Sequence, residues 1–196
     1  LKAKCVWVEN SFDGMIPALK AKKFDGILSS MTVTDERAKQ ILFSSKIYNT
    51  PTRMVAKKGS PLLPTPTSLK GKRVGVQQGT IQETYAKTYW APKGVSVVPY
   101  PTQDLIYQDM MSGRLDATLQ DAIMVDGAFL KQPKGKNFSF AGGNVVDVKT
   151  LGVGAAIGLR KEDADLKANI DKALAAIIAD GTYKKLEKKY FSFSIY

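Results

Sequence analysis

The chain of 196 residues has no histidine and a single cysteine, Cys5. Without histidine, the usual zinc sites built from cysteine and histidine are excluded. Nucleophilic triads that turn on an imidazole base are excluded as well. A lone cysteine is most often a small buried hydrophobe, whereas in an exported protein an odd thiol suggests a partner elsewhere. No apolar run approaches the roughly 20 residues that a membrane-spanning helix requires. Acidic residues are the scarcer sign, 18 against 29 Lys and Arg, for a formal charge of +11. Such an excess can mark a binder of nucleic acid or anionic surfaces. Here the lysines are dispersed in ones and twos. The densest group, Lys184, Lys185, Lys188 and Lys189, falls on an amphipathic helical pattern that reads as a solvated face. Nucleic acid is therefore not an expected partner.

What is present is ordinary globular composition, 44% hydrophobic and 24% charged. That is enough for one large domain or two small lobes, each with a core. Strand and helix patterns alternate along the chain. Strands are expected at residues 5–8, 24–29, 52–57, 73–77, 95–100 and 115–120. Helices are expected at 12–22, 34–40 with Thr34 as N-cap, 80–90, 102–112, 122–130, 163–179 and on to Tyr190. Residues 59–66 form a proline-rich loop, and a glycine-rich passage carries Gly142, Gly143, Gly152, Gly154 and Gly158. This alternation predicts an α/β fold with largely parallel sheets.

In open α/β sheets ligands sit outside the carboxyl ends of strands, so polar residues at strand ends are the candidate site. Three clusters emerge. Ser29, Ser30 and Thr32 follow one strand, with Arg37 shortly after. Hydroxyls, free backbone N–H groups and a two-pronged guanidinium suit a carboxylate, although the same residues also read as a helix-capping turn with a surface arginine. Gln77, Gly79, Thr80, Ile81 and Gln82 end a second strand and open a helix. Glycine admits a ligand to the backbone and a helix start favours an anion, but an ordinary strand–helix turn reads the same way. This is not a phosphate loop, because the lysine and the full glycine spacing are missing. Asp121 ends a third strand, where it suits an ammonium group or the N-cap of the next helix. Together the clusters supply carboxylate holders and an ammonium holder, which is an amino-acid site. Phe12 offers a flat wall against an aliphatic or guanidinium side chain, or a core ring. No close pair of acids and no activated nucleophile stands out, so no catalytic residue, metal ligand or cofactor site is assigned.

Long stretches of the chain, IPALKAKKFDGILSSMTVTDER, SLKGKRVGVQQGTIQETYA, WAPKGV, GRLDATLQDA, AFLKQPKGK, GLRKED and DGTYKKLEKKYF, resemble the periplasmic lysine/arginine/ornithine- and histidine-binding proteins of polar amino-acid ABC transporters. The resemblance runs from the first residues to the last. It implies a type II periplasmic-binding-protein fold, α/β, in two lobes joined by two hinge strands near residues 49–51 and 152–154, with the ligand cleft between the lobes. Residues 1–49 and 153–196 make the first lobe and residues 50–152 the second.

The resemblance implies roles as well. Arg37 takes the ligand α-carboxylate, helped by Ser30 and the N–H groups of Thr80 and Ile81. Asp121 holds the α-ammonium and Phe12 stacks on the side chain, while Ser29, Thr32, Gln77 and Gln82 line the side-chain pocket. Thr32 and Gln77 depart from the serine and leucine expected there. The implied function is capture of a basic L-amino acid in the periplasm and delivery to an ABC transporter permease, without enzymatic activity. Some relatives on this fold resemble cyclohexadienyl dehydratases, which need a general acid in the cleft; the matched clusters show no extra acid. Family members also carry a strand, loop and helix ahead of the position of Leu1, including a cysteine that would bond to Cys5. The expectation is a first lobe lacking that piece, so that either the chain binds weakly alone or the piece is supplied by a separate segment or chain or was lost.

Overall fold

The computed structural model describes residues 3–152, 154–191 and 195–196. The chain forms two compact units, one comprising Leu1–Asn10, Gly14–Asn49 and Val153–Tyr196, the other Ser11–Asp13 and Thr50–Gly152. Apart from the short excursion at Ser11–Asp13, the polypeptide thus passes from the first to the second at Asn49 and Thr50. The expected second crossing, near 152–154, includes Val153, which lies outside the described residues.

In the first unit, helices α1 (Met15–Lys20) and α2 (Asp35–Gln40) precede a short strand β1 (Leu42–Phe43), which pairs antiparallel with β7 (Gly158–Leu159). The returning segment that contains β7 has a partner on each side. Ile27 and Thr32 bridge to Gly158 and Ala155, while Tyr48 bridges to Ala155 from the other side. Leu19, Ile27, Met31, Ile41 and Leu159 fill the interior. The expected strand at 24–29 is reduced to the Ile27 bridge. Helices α8 (Ala164–Ala179) and α9 (Thr182–Tyr190) end the chain.

Residues 5–8, expected as a strand, carry no regular structure, and Val6 and Trp7 are 80% and 74% exposed. Apolar and polar alternation meets only half of what a strand requires; the other half is a ladder of backbone hydrogen bonds to a neighbour. Cys5 is exposed as a free thiol.

The second unit is built on one sheet of β2 (Thr52–Lys57), β3 (Arg73–Gln77), β4 (Ser96–Tyr100), β5 (Ala117–Asp121) and β6 (Phe138–Val145), in the order β4-β3-β5-β2-β6. Strand β3 is parallel to both β4 and β5, whereas β2 is antiparallel to both β5 and β6. The sheet is therefore mixed, with one reversed strand, rather than largely parallel. Direction follows from where the chain enters the sheet, which residue periodicity does not encode. The period of two sorts the side chains. Met54, Ala56, Val74, Val76, Ala117 and Leu119 join one apolar cluster with Trp90, while Val55 joins Ile106, Tyr107 and Phe129 in another. The Tyr107 and Phe129 rings stack at 4.4 Å.

Helices α3 (Pro66–Leu69), α4 (Ile81–Tyr85), α5 (Gln103–Met111) and α6 (Ala122–Val125) connect these strands, and α7 (Val148–Leu151) follows β6. Helices α4 and α6 each run on through a π-type turn, Ala86–Trp90 and Asp126–Leu130. Strand β6 passes through the first part of the glycine-rich stretch, for which the sequence pattern assigned no strand. The register slips there, Arg53 facing Asn144 and Met54 facing Ala141, so Gly142 and Gly143 form a bulge. Gly142 has φ +69° and a Cβ on it would lie 2.3 Å from Pro64 Cδ, which leaves room for glycine only.

Candidate functional site

The candidate residues fall into two sets, one in each unit. In the first unit, Ser29 and Ser30 are half-buried and Thr32 is buried at the turn between the Ile27 and Thr32 bridges. Ser30 has φ +50°, an uncommon conformation for a residue with a side chain. Its hydroxyl lies 2.5 Å from Tyr48 Oη. Thr34 caps α2, its hydroxyl accepting from the Arg37 N–H at 3.3 Å. That cap fixes the first turn of α2 and so aims Arg37, whose Nη1 donates to the Thr32 carbonyl at 2.8 Å. The guanidinium is thereby held against the serine turn. Burial brings its pKa down to about 10, so it remains a cation at neutral pH. A pinned guanidinium beside hydroxyls is a receptor for a carboxylate.

In the second unit, β3 delivers Gln77 to its carboxyl end, where Gln77 Nε2 donates to the Pro101 carbonyl at 3.3 Å. Gly79 follows with φ +75°, and a Cβ on it would lie 2.8 Å from Asp13 Cα. This close approach accompanies the grouping of Ser11–Asp13, and hence of half-buried Phe12, with the second unit rather than with the expected first lobe. Thr80 caps α4 by accepting from the Glu83 N–H at 3.2 Å, and Glu83 reaches back to accept from the Gly79 N–H at 2.7 Å. The Thr80 N–H points to the Gln77 carbonyl at a long 3.4 Å. Ile81, the first residue of α4, is half-buried. Gln82 is buried and donates from Nε2 to Thr52 Oγ1 at 3.0 Å, so its amide nitrogen serves the interior of the unit.

Asp121 ends β5 and caps α6. Its Oδ1 accepts from the Met124 N–H at 3.0 Å and from the Thr50 hydroxyl at 2.9 Å. Burial raises the Asp121 pKa above the ordinary carboxylate value, and those hydrogen bonds act in the opposite sense. A desolvated carboxylate of this kind gains most from an incoming cation. Among the described residues, no group of His, Cys, Asp and Glu is arranged to hold a metal ion.

Three residues that contact this machinery were not among the candidates: Tyr48, Thr50 and Thr52. The Thr50-Pro51-Thr52 alternation is a usable signal, because extended residues two apart present their hydroxyls on one side. Their partners, Asp121 and Gln82, are remote in sequence and show only in the fold.

The match to known proteins covers the same ground. The model of the bacterial extracellular solute-binding proteins, family 3, matches residues 1–193. The chain belongs to that family. It is 54% identical over 196 residues to the lysine/arginine/ornithine-binding periplasmic protein of Escherichia coli (strain K12), covering all of this chain and 75% of that protein. Over the same span it is 50% identical to the histidine-binding periplasmic protein of that organism, again covering all of this chain and 75% of that protein. Among solved structures, an arginine-specific periplasmic binding protein of Salmonella typhimurium aligns with TM-score 0.89 at 28% identity, over 97% of this chain and 83% of that one. An ancestral arginine-binding protein bound to arginine aligns with TM-score 0.84 at 35% identity, over 93% of this chain and 78% of that one. The chain is thus an extracytoplasmic solute-binding protein of the two-lobe α/β kind. Among the described residues, no helix is long and apolar enough to cross a membrane.

Proposed function

We propose that this chain captures a basic L-amino acid (lysine, arginine, ornithine or histidine) in the periplasm and delivers it to the permease of an ABC transporter. The observation that supports the reading is the presence of two opposite receptors, each described within its own unit: a pinned cation, Arg37, in the first and a desolvated carboxylate, Asp121, in the second. An α-amino acid presents the complementary pair, one carboxylate and one ammonium. Arg37 with Ser30 takes the carboxylate, assisted by the start of α4 at Thr80 and Ile81. Asp121 takes the ammonium. Phe12, Ser29, Thr32, Gln77 and Gln82 serve the side chain, Gln82 through the wall that it braces against Thr52.

The relatives named for lysine, arginine, ornithine and histidine support the basic class of ligand. The test is thermal unfolding with L-arginine, L-lysine, L-ornithine, L-histidine and L-glutamine. A ligand that binds only the folded chain raises the midpoint by mass action. The reading expects shifts with the basic amino acids; a shift with glutamine alone sinks it.

A further inference from the structure

The chain passes between the two units at Asn49 and Thr50, and hydrogen bonds hold both sides of that joint. On the first side the Asn49 N–H donates to the Ile195 carbonyl at 2.5 Å, and Tyr183 Oη donates to the Ile47 carbonyl at 2.8 Å. On the second side Thr50 Oγ1 donates to Asp121 Oδ1 at 2.9 Å and accepts from the Ile123 N–H at 3.4 Å. The Pro51 carbonyl accepts from the Ala122 N–H at 2.9 Å, and Thr52 stands opposite Asp121 in the β2–β5 ladder.

A threonine hydroxyl has one hydrogen to give. With the Ile123 N–H directed at its oxygen, that hydrogen is left to the carboxylate. We propose that Thr50 is a positioning residue that fixes the Asp121 carboxylate for the capture of an ammonium group. The inference rests on the reading of Asp121 as the ammonium holder. Its physical content is a donor that favours the charged form of a carboxylate which burial disfavours.

Four of the charged groups on the elements packed against β5 have other partners. Arg53 on β2 lies over the Phe140 ring and donates to the Gly142 carbonyl. Glu83 on α4 pairs with Lys87, and on α5 Asp104 pairs with Lys134 and Asp109 with Arg114. Lys57 on β2 and Arg73 on β3 form no ion pair with Asp121 among the described residues. Burial pushes the phenol of Tyr107 on α5 up, and the charges of Asp104 and then Asp121 add to it.

Thr50→Val keeps the branched shape and removes the hydroxyl, while Thr50→Ser keeps the hydroxyl. The titration of the Asp121 carboxyl is followed by carbon-detected NMR in the ligand-free chain, then L-arginine binding by calorimetry across pH. In Thr50→Val, Asp121 is expected to titrate roughly one pH unit higher than in the wild type. L-Arginine affinity at neutral pH is expected to fall roughly tenfold. The acid limb of binding moves upward with the carboxyl, and Thr50→Ser restores all three. An unchanged Asp121 titration in Thr50→Val overturns the proposal. So does a loss of affinity that is equal at every pH, which marks lost packing alone. The NMR arm uses no ligand, so a wild-type chain that binds none of L-arginine, L-lysine, L-ornithine and L-histidine refutes the amino-acid reading, while the Asp121 titration still decides whether Thr50 acts on the carboxylate.

Discussion

Gln82 Nε2 donates to Thr52 Oγ1 at 3.0 Å, and both side chains are buried. The bond ties the first turn of α4 to the first residue of β2. Gln82→Leu leaves the Thr52 hydroxyl buried without that donor and is expected to destabilise the chain by about 1–3 kcal/mol. The double change Gln82→Leu with Thr52→Val removes both polar groups and should recover part of the loss. Urea unfolding of the four proteins in this cycle measures both effects, and equal losses in the single and double variants would contradict the pairing.

Asp121 links binding to pH with a definite sign. Its carboxyl is raised, so the folded, ligand-free chain holds that proton more tightly than the unfolded chain does. Its contribution to stability is greatest at acid pH and falls as pH rises from the unfolded value through the folded one. Asp121→Asn removes the buried charge and keeps a good capping side chain. The expectation at neutral pH is a melting temperature equal to or above that of the wild type, together with loss of ligand binding. In the wild type, affinity should fall as pH drops through the raised Asp121 value, that is, at higher pH than an ordinary carboxylate would allow.

Arg37 acts through a planar fork rather than through charge alone. Arg37→Lys preserves the cation but gives up the bidentate geometry and the anchor to the Thr32 carbonyl. Affinity for L-arginine is expected to fall by roughly 10–100-fold at pH 7, with little change in stability. Calorimetry on the variant checks it, and wild-type affinity would show that a point charge suffices.

Gly79 combines φ +75° with a backbone approach to Asp13 that leaves no room for a Cβ. Gly79→Ala should cost about 1–3 kcal/mol from the unfavourable conformation alone, with displacement of the 11–13 turn in addition. Because that turn carries Phe12, ligand affinity should fall along with stability. Chemical denaturation and calorimetry on the same sample separate the two effects.

Much of the second unit is legible in the sequence for a simple reason. Thr52–Lys57 and Arg73–Gln77 are buried apolar strands flanked by turn residues, and they form at those bounds. Thr34 and Asp121 are legible as N-caps because a capping side chain acts within three residues. What depends on remote partners is not legible. Residues 5–8 have strand composition without strand pairing. Strand β6 is hidden by Gly142 and Gly143, which mark a bulge rather than a loop. The reversal of β2 leaves no trace in its side chains. The same limit holds at the candidate site. The spacing offered Ser30, Arg37 and Asp121, whereas Tyr48 beside Ser30 and Thr50 beside Asp121 required the fold.

The central claim is recognition of basic L-amino acids through Arg37 and Asp121, and isothermal titration of the purified chain tests it most directly. L-Arginine, L-lysine, L-ornithine, L-histidine, L-glutamate and L-leucine are titrated into the wild type, Arg37→Ala and Asp121→Asn. The account predicts saturable one-to-one binding of at least one basic amino acid to the wild type, none of glutamate or leucine, and none of any ligand to either variant. Saturable binding of glutamate or leucine in preference to the basic amino acids, or undiminished binding by Asp121→Asn, would contradict it.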